Sequence, residues 1–356
     1  MLRYQARKEF MKDYSHKGDD EMSTVSKGEV KVKTITMRDA IIEALTEEME
    51  RDPSTVLFGE DVGKFGGIFG ATKGLYEKFG SRVFDTPIAE STIVAAALGM
   101  AITGGMRPIP ELQFGDFVGV AFDEVFHKLG KWRWMHGGQM EIPVTLRLPI
   151  GIAGGSGPEH SQSPQALFMH GPGLKIVVPS TPYDAKGLLK TAIRDNNAVL
   201  FFEHKVLYDL KGEVPEGEYL IPLGKADVKR EGSDVTIIAT ALQVHTALDA
   251  AKTLAKQGVE AEVIDPRTLA PLDMDTILSS VRKTGRVLIV HEEPKTGGSG
   301  AEIAARISEQ VLFDLQAPVR RIGSPDVPIA QSLYLEQFYR PSEQQILDVV
   351  NELMEY

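Results

Sequence analysis

The stretch Arg82–Gly105, RVFDTPIAESTIVAAALGMAITGG, decides how the rest of the chain must be arranged. From Thr92 to Gly105 it carries no charge, and Ala95, Ala96, Ala97, Gly99, Ala101, Gly104 and Gly105 leave little side-chain bulk. A helix that is apolar all round has no face to give to water, so this run is expected to be a helix buried on every side. It falls short of the ~20 residues that span a bilayer, which makes protein the expected surroundings. Pro87 keeps the preceding segment extended and so carries Asp85 and Glu90 to the rim of that helix. A carboxylate placed there needs a partner or a chemical role. The competing reading of Glu90 is an acid in the first helical turn that serves only the helix dipole.

Composition narrows the field. With 356 residues, 42% hydrophobic and 25% charged, the chain lies in the globular range and is long enough for two cores. Its formal net charge of -11 argues against nucleic acid or an anionic membrane surface as partner, since both call for basic patches. Cysteine is absent, which removes disulfides, zinc–thiolate sites and a cysteine nucleophile. That absence fits a reducing compartment, and the bacterial cytoplasm is the expected location, with a mitochondrial or plastid matrix as the alternative. The opening MLRYQARKEFMKDYSHKGDDEM has no apolar core of secretory length, so residues 1–33 are expected to form a polar, poorly ordered extension.

After Thr34, Ala40, Ile41, Ala44, Leu45 and Met49 recur at helical spacing. The strand TVLFGED then delivers Glu60 and Asp61 at its carboxyl end, where open α/β sheets place ligands. Gly63, Gly66, Gly67, Gly70 and Gly74 follow, but the phosphate-loop frame GxxxxGK[ST] is not met, and a flexible loop is expected. RPIPELQF reads as a strand that leads to Phe114 and Phe117. The strand IPVTLRLP opens a glycine-rich stretch, GIAGGSGPEHSQSP, that carries His160 between Glu159 and Ser161. No G-x-S-x-G elbow surrounds Ser156, Ser161 or Ser163, so a serine hydrolase is not indicated. Asp195, Asn196 and Asn197 make a turn between a helix and a strand. Residues 206–230 lose periodicity and read as a linker. From DVTIIATA onward, strands alternate with helices over short loops, which implies a second parallel sheet. Gly297, Gly298 and Gly300 stand between a strand and a helix, as in a dinucleotide site. They follow the third strand of the unit rather than the first, which favours capping and close packing over cofactor binding.

Several separated motifs agree with one family. FDTPIAE before the small-residue helix, RPIPELQFGDF at Arg107–Phe117 and GPEHSQSP together resemble the beta subunit of the decarboxylating component of 2-oxoacid dehydrogenase complexes, thiamine diphosphate enzymes of the transketolase type. The likeness runs from about Thr34 to the C-terminus. It implies an α/β chain of two transketolase-like domains, each a mostly parallel sheet flanked by helices: a pyrimidine-binding domain over 34–205 and a C-terminal domain over 231–356. It also implies that Glu60 and Glu90 share an acidic network at the cofactor, with Glu90 hydrogen-bonded to the pyrimidine nitrogen so that the thiazolium proton can leave. Phe114 and Phe117 match the positions that pack on the aminopyrimidine, and His160 matches the histidine lining the channel to the reacting carbon. His170 sits in a comparable H-x-PG context. Val144, Ala192, Asp195 and Asn197 correspond to a structural potassium site. The family's GDG signature for magnesium and diphosphate is missing here, Gly18-Asp19-Asp20 and Gly115-Asp116-Phe117 being the nearest approaches. An alpha subunit is therefore expected to hold magnesium in an alpha2-beta2 assembly, with acyl transfer to a lipoyl acyltransferase core. Pyruvate, branched-chain 2-oxoacids and acetoin are all family substrates, and GATKGLYEKFG and FFEHKVLY incline the reading to pyruvate or acetoin. A nicotinamide-dependent oxidoreductase and a non-catalytic docking subunit stand as alternatives.

Overall fold

The computed structural model describes residues 31–356, so the expected extension lies outside the described residues except at its very end, where Val32 and Lys33 already belong to a strand. That strand, β1 (Val32–Thr36), runs straight into α1 (Met37–Arg51). Thr36 closes the helix start, its hydroxyl accepting from the Asp39 N–H at 3.1 Å while the Asp39 carboxylate accepts in return from the Thr36 N–H. The helical spacing read from the sequence becomes a buried face of Met37, Ala40, Ile41, Ala44, Leu45 and Met49.

The first domain continues through β2 (Thr55–Gly59), α2 (Leu75–Phe79), β3 (Val83–Asp85), α3 (Glu90–Gly104) and β4 (Arg107–Glu111). A π-helical turn over Glu124–Leu129 leads into α4 (Gly130–Met135), followed by β5 (Thr145–Ile150), α5 (Gln165–Met169), β6 (Lys175–Val177), α6 (Pro182–Arg194), β7 (Val199–His204) and β8 (Lys211–Pro215). The second domain comprises β9 (Asp227–Arg230), β10 (Val235–Ala239), α7 (Leu242–Lys256), β11 (Ala261–Asp265), β12 (Thr268–Ala270), α8 (Met274–Thr284), β13 (Val287–Pro294), α9 (Ser299–Val311), β14 (Arg320–Ser324) and α10 (Glu343–Met354). Among the described residues no helix is long and apolar enough to cross a membrane.

The first sheet has seven strands in the order β12-β6-β7-β5-β4-β2-β3, parallel except for β12, which arrives from the second half of the chain. The second has five, β14-β13-β10-β11-β9, with β9 alone antiparallel. Helices cover both faces of each sheet, which is why β2, β5 and β7 are buried along their whole length and read as continuous apolar runs.

Three expectations are corrected. The linker over 206–230 is not featureless: β8 pairs antiparallel with β1, Leu207, Tyr208 and Ile221 belong to the first core, and β9 is an edge strand of the second sheet. Glycine and proline in KGEVP hide the strand pattern, as both are confined to edges and irregular positions. The crossing between domains shrinks to the few residues separating Ile221 from Asp227. The loop after β2 is not flexible but a series of hydrogen-bonded turns, tied by Gly63 N–H to Asp85 Oδ1 at 2.6 Å and by the Thr72 hydroxyl to the Val62 carbonyl at 2.8 Å. Lastly, α3 buries Ile93, Val94, Ala97, Leu98 and Ala101 but leaves Thr92, Ala95, Thr103 and Gly104 exposed. Its lack of charge describes both faces, and only one of them is covered by the described residues.

Candidate active site

Parallel pairing brings three strand ends level, with Gly59 opposite both Asp85 and Glu111. A β-carbon at Gly59 would stand 2.3 Å from the Glu111 carbonyl oxygen, so glycine is required where β2 turns away to deliver Glu60. From β3 the chain passes Pro87 and enters α3 at Glu90; from β4 it continues to Phe114 and Phe117. Glu60 and Glu90 are 4% and 7% exposed. Among the described residues neither carboxylate makes a hydrogen bond or an ion pair, and the buried Glu60 Oε1 is left without a partner. Burial lifts the Glu60 carboxyl above its ordinary range, and repulsion from Glu90 and Asp61 adds to it.

His160 packs against an aromatic wall. Its ring meets Phe114 edge-on at 4.5 Å and Phe117 at 5.3 Å between centroids, and the two phenylalanines meet each other at 5.8 Å. Phe69, from the glycine-rich turns, backs Phe114 at 5.5 Å and stacks on Tyr208 at 5.6 Å. The loop bearing His160 is held by Gly151 N–H to the Gln162 carbonyl at 3.2 Å and by Gln162 N–H to Asp116 Oδ1 at 3.1 Å. His170 is elsewhere in the packing: it is exposed and stacks on Phe126 at 6.2 Å.

Two groups of residues were not singled out from the sequence. Beneath Phe69, the fully buried Arg147 gives two hydrogen bonds to Glu203, Nε to Oε1 at 2.7 Å and Nη2 to Oε2 at 2.8 Å, and a third to Glu111 Oε2. The Tyr208 hydroxyl completes the network on Glu203 Oε2 at 2.8 Å. Burial pushes Glu111 up to about 7 against the pull of Arg147. The available signal was the arginine inside the otherwise apolar IPVTLRLP, because a buried charge demands partners. The second group joins the domains: Glu292, on β13, accepts from the Ile152 N–H at 2.5 Å and from His204 Nε2 at 3.1 Å. No local pattern reveals a contact between residues so distant in sequence.

The glycines after β13 find a structural reason. A β-carbon at Gly298 would lie 2.6 Å from the His291 ring, and one at Gly300 would lie 2.7 Å from it. The Ser299 N–H at the start of α9 already donates to Glu293 Oε2 at 2.6 Å. A carboxylate thus occupies the position where a dinucleotide phosphate would dock. At the turn before β7, the oxygens expected to bind potassium are shared with other donors. The Val144 and Ala192 carbonyls accept from Val199 and Asp195 N–H groups, the Asp195 carbonyl and Asn197 Oδ1 accept from Arg107 and Arg133, and Lys175 pairs with the Asp195 carboxylate. Three cations at one turn make it a poor fit for a further one.

The sequence matches the transketolase pyrimidine-binding domain over residues 33–211 and the transketolase C-terminal domain over 224–346. It is 48% identical over 332 residues to the beta subunit of acetoin:2,6-dichlorophenolindophenol oxidoreductase of Cupriavidus necator, covering 90% of this chain and 98% of that one. The chain belongs to the beta subunits of the 2-oxoacid and acetoin dehydrogenases. Two Bacillus subtilis relatives extend the comparison across that family. The 2-oxoisovalerate dehydrogenase beta subunit is 49% identical over 321 residues, covering 89% of this chain and 98% of the relative, and the pyruvate dehydrogenase E1 beta subunit is 47% identical over 327 residues, covering 90% and 99%. A solved structure described as a split-gene transketolase, an inactive beta4 tetramer, superposes with a TM-score of 0.74 at 25% identity over 90% of this chain and 98% of that one. The expected two-domain transketolase-like fold is borne out, and the acyl-transferring dehydrogenase family replaces the nicotinamide alternative.

Proposed function

We propose that this beta subunit supplies the pyrimidine half of a thiamine diphosphate site and takes part in oxidative decarboxylation only beside an alpha partner. The observation that carries the reading is the pair of buried carboxylates, Glu60 and Glu90, with no partner among the described residues. Buried charge left unpaired is costly, and a ring nitrogen able to share a proton with Glu90 would relieve it. Thiamine diphosphate, when bound, supplies the nucleophilic carbon at which the substrate is decarboxylated.

The chain's own residues divide the remaining work. Glu90 holds or accepts a proton at its carboxylate, and Glu60, raised by burial, keeps a proton more readily and so limits the charge of the pair. Phe114 and Phe117 offer apolar surface to a flat ring and exclude water, which strengthens the hydrogen bond at Glu90. His160, packed edge-on against both, would move a proton to or from substrate or lipoyl group.

Among the described residues no cluster of His, Asp and Glu is suited to a metal ion, and GDG is absent, so magnesium and the diphosphate fall to the alpha partner. Potassium at Val144, Ala192, Asp195 and Asn197 would compete with the donors already there, and no step depends on it. Phe65, Ile88 and Val120 are exposed at or near the strand ends, and with the open face of α3 they form surface that an alpha2-beta2 assembly would cover. The acyl product would pass to a lipoyl acyltransferase. Relatives named for acetoin, 2-oxoisovalerate and pyruvate are nearly equally similar, and pyruvate or acetoin remains our preferred substrate. Calorimetric titration with thiamine diphosphate and magnesium tests the reading: binding should be tight for the alpha–beta assembly and weak for this chain alone. Tight binding by the isolated chain would overturn it, and retention unaffected by loss of Glu60 and Glu90 would leave only a docking role.

A further inference from the structure

The loop that carries His160 is anchored at its start by the second domain and at the histidine itself by a lysine. Glu292 Oε1 receives the Ile152 N–H, and it also faces His204 Nε2. Since His204 Nδ1 accepts from the Val206 N–H at 3.3 Å, its proton resides on Nε2 and is donated to Glu292. One residue along, Lys205 turns back towards the site. Its Nζ donates to the His160 carbonyl oxygen and stands 5.3 Å from the centroid of the Phe114 ring. Among the described residues no other group donates to that carbonyl. Burial disfavours the ammonium charge, and Asp116, Glu292 and Glu336 oppose that effect. Asp116 comes from the segment holding Phe117, whereas Glu292 and Glu336 come from the second domain. Lys205 therefore links the histidine backbone to the aromatic wall, within the field of carboxylates from both domains.

We infer that Lys205 is a positioning residue, which fixes the backbone of His160 so that the imidazole stays edge-on against Phe114 and Phe117. It touches the histidine's carbonyl and not its ring, so it acts through His160 rather than on the reacting atoms. The functional part of the inference rests on the role proposed for His160, whereas the positioning part does not.

The test uses the complete alpha–beta assembly with Lys205→Met and Lys205→Arg. Labelling by diethylpyrocarbonate, read peptide by peptide without substrate, reports how freely His160 reacts, and the exposed His127 serves as internal control. With Lys205→Met, His160 should label severalfold faster while His127 is unchanged, and kcat should fall by up to about 10²-fold, the scale for a displaced catalytic group. Arginine, which preserves the charge and can still donate, should restore much of both losses. Unchanged His160 labelling in Lys205→Met would overturn the inference, as would faster labelling of every histidine together with a lowered Tm, which marks a general structural prop. Faster His160 labelling with normal turnover would uphold the positioning and remove His160 from the chemistry.

Discussion

Replacing Glu90 with glutamine separates a catalytic acid from an ornament of the helix end. The residue is the first of α3, is 7% exposed, and follows Ala89, whose side chain makes no capping hydrogen bond. If its charge served only the helix dipole, losing it would cost about 0.3–1 kcal/mol of stability and leave the rate alone. The structure sets an opposing contribution beside that cost. Glu60 lies close enough to feel the Glu90 charge, and its Oε1 has no donor among the described residues. The amide of Glu90→Gln removes the repulsion, so stability should hold or rise. The rate should respond quite differently, because an amide cannot exchange a proton with the pyrimidine nitrogen. Positioned acid–base groups contribute about 10² to 10⁴ in rate, or roughly 3–5 kcal/mol of barrier. The assay is exchange of the thiazolium proton in the alpha–beta assembly, with thermal unfolding measured alongside. Near-normal exchange in a destabilised variant would refute the catalytic assignment.

Glu60→Gln should stabilise the isolated chain at pH 8. The folded-state pKa of Glu60 is raised, so folding favours its protonated form; the advantage of glutamine should shrink as pH falls through that raised value, and melting curves across pH will show whether it does. Arg147→Met strands Glu111 and Glu203 in the core and should cost about 3–5 kcal/mol in denaturant unfolding. Because Glu111 titrates at about 7, the loss should be smaller at pH 6 than at pH 8, and a pH-independent loss would mean that packing and not charge was removed. Gly151→Ala would put a methyl 2.2 Å from His204 Nε2 at a residue whose φ is +95°, so a loss of about 1–3 kcal/mol is expected together with reduced turnover. Wild-type melting of that variant would show that the contact between Glu292 and His204 has slack.

What the sequence disclosed about the fold follows from range. The alternation of strand and helix depends on neighbours a few residues apart, and both parallel sheets, the face of α1 and the delivery of Glu60 by β2 were legible from it. Residues 206–230 were misread because β8 owes its existence to β1, about 180 residues earlier, and not to its own alternation. Strand β12 is the same case, since it completes the first sheet from within the second domain. The outer face of α3 was misread for another reason. Hydropathy reports that Thr92, Ala95, Gly99 and Thr103 tolerate burial, but not whether the described residues bury them.

At the site, residue types in motifs were legible and the support beneath them was not. Glu60, Glu90, Phe114, Phe117 and His160 come from separate stretches, yet the two phenylalanines and the histidine share one aromatic wall and the two carboxylates share one electrostatic field. Arg147, Glu203, Glu292 and Lys205 act at longer reach, each satisfying a group on a different element, so no short window of sequence contains both partners. Their arrangement explains why the second domain belongs to a site built almost wholly from the first. Glu292 closes on the start of the His160 loop, Lys205 closes on the histidine's own carbonyl, and Lys205 feels the charge of Glu292 across the domain boundary. A displacement of the second domain would therefore be felt at His160 before it was felt at Glu90, whose helix is packed against β4 and the π-helical turn of the first domain. Perturbations of the boundary should accordingly impair steps that need His160 while sparing the proton exchange that reports on Glu90.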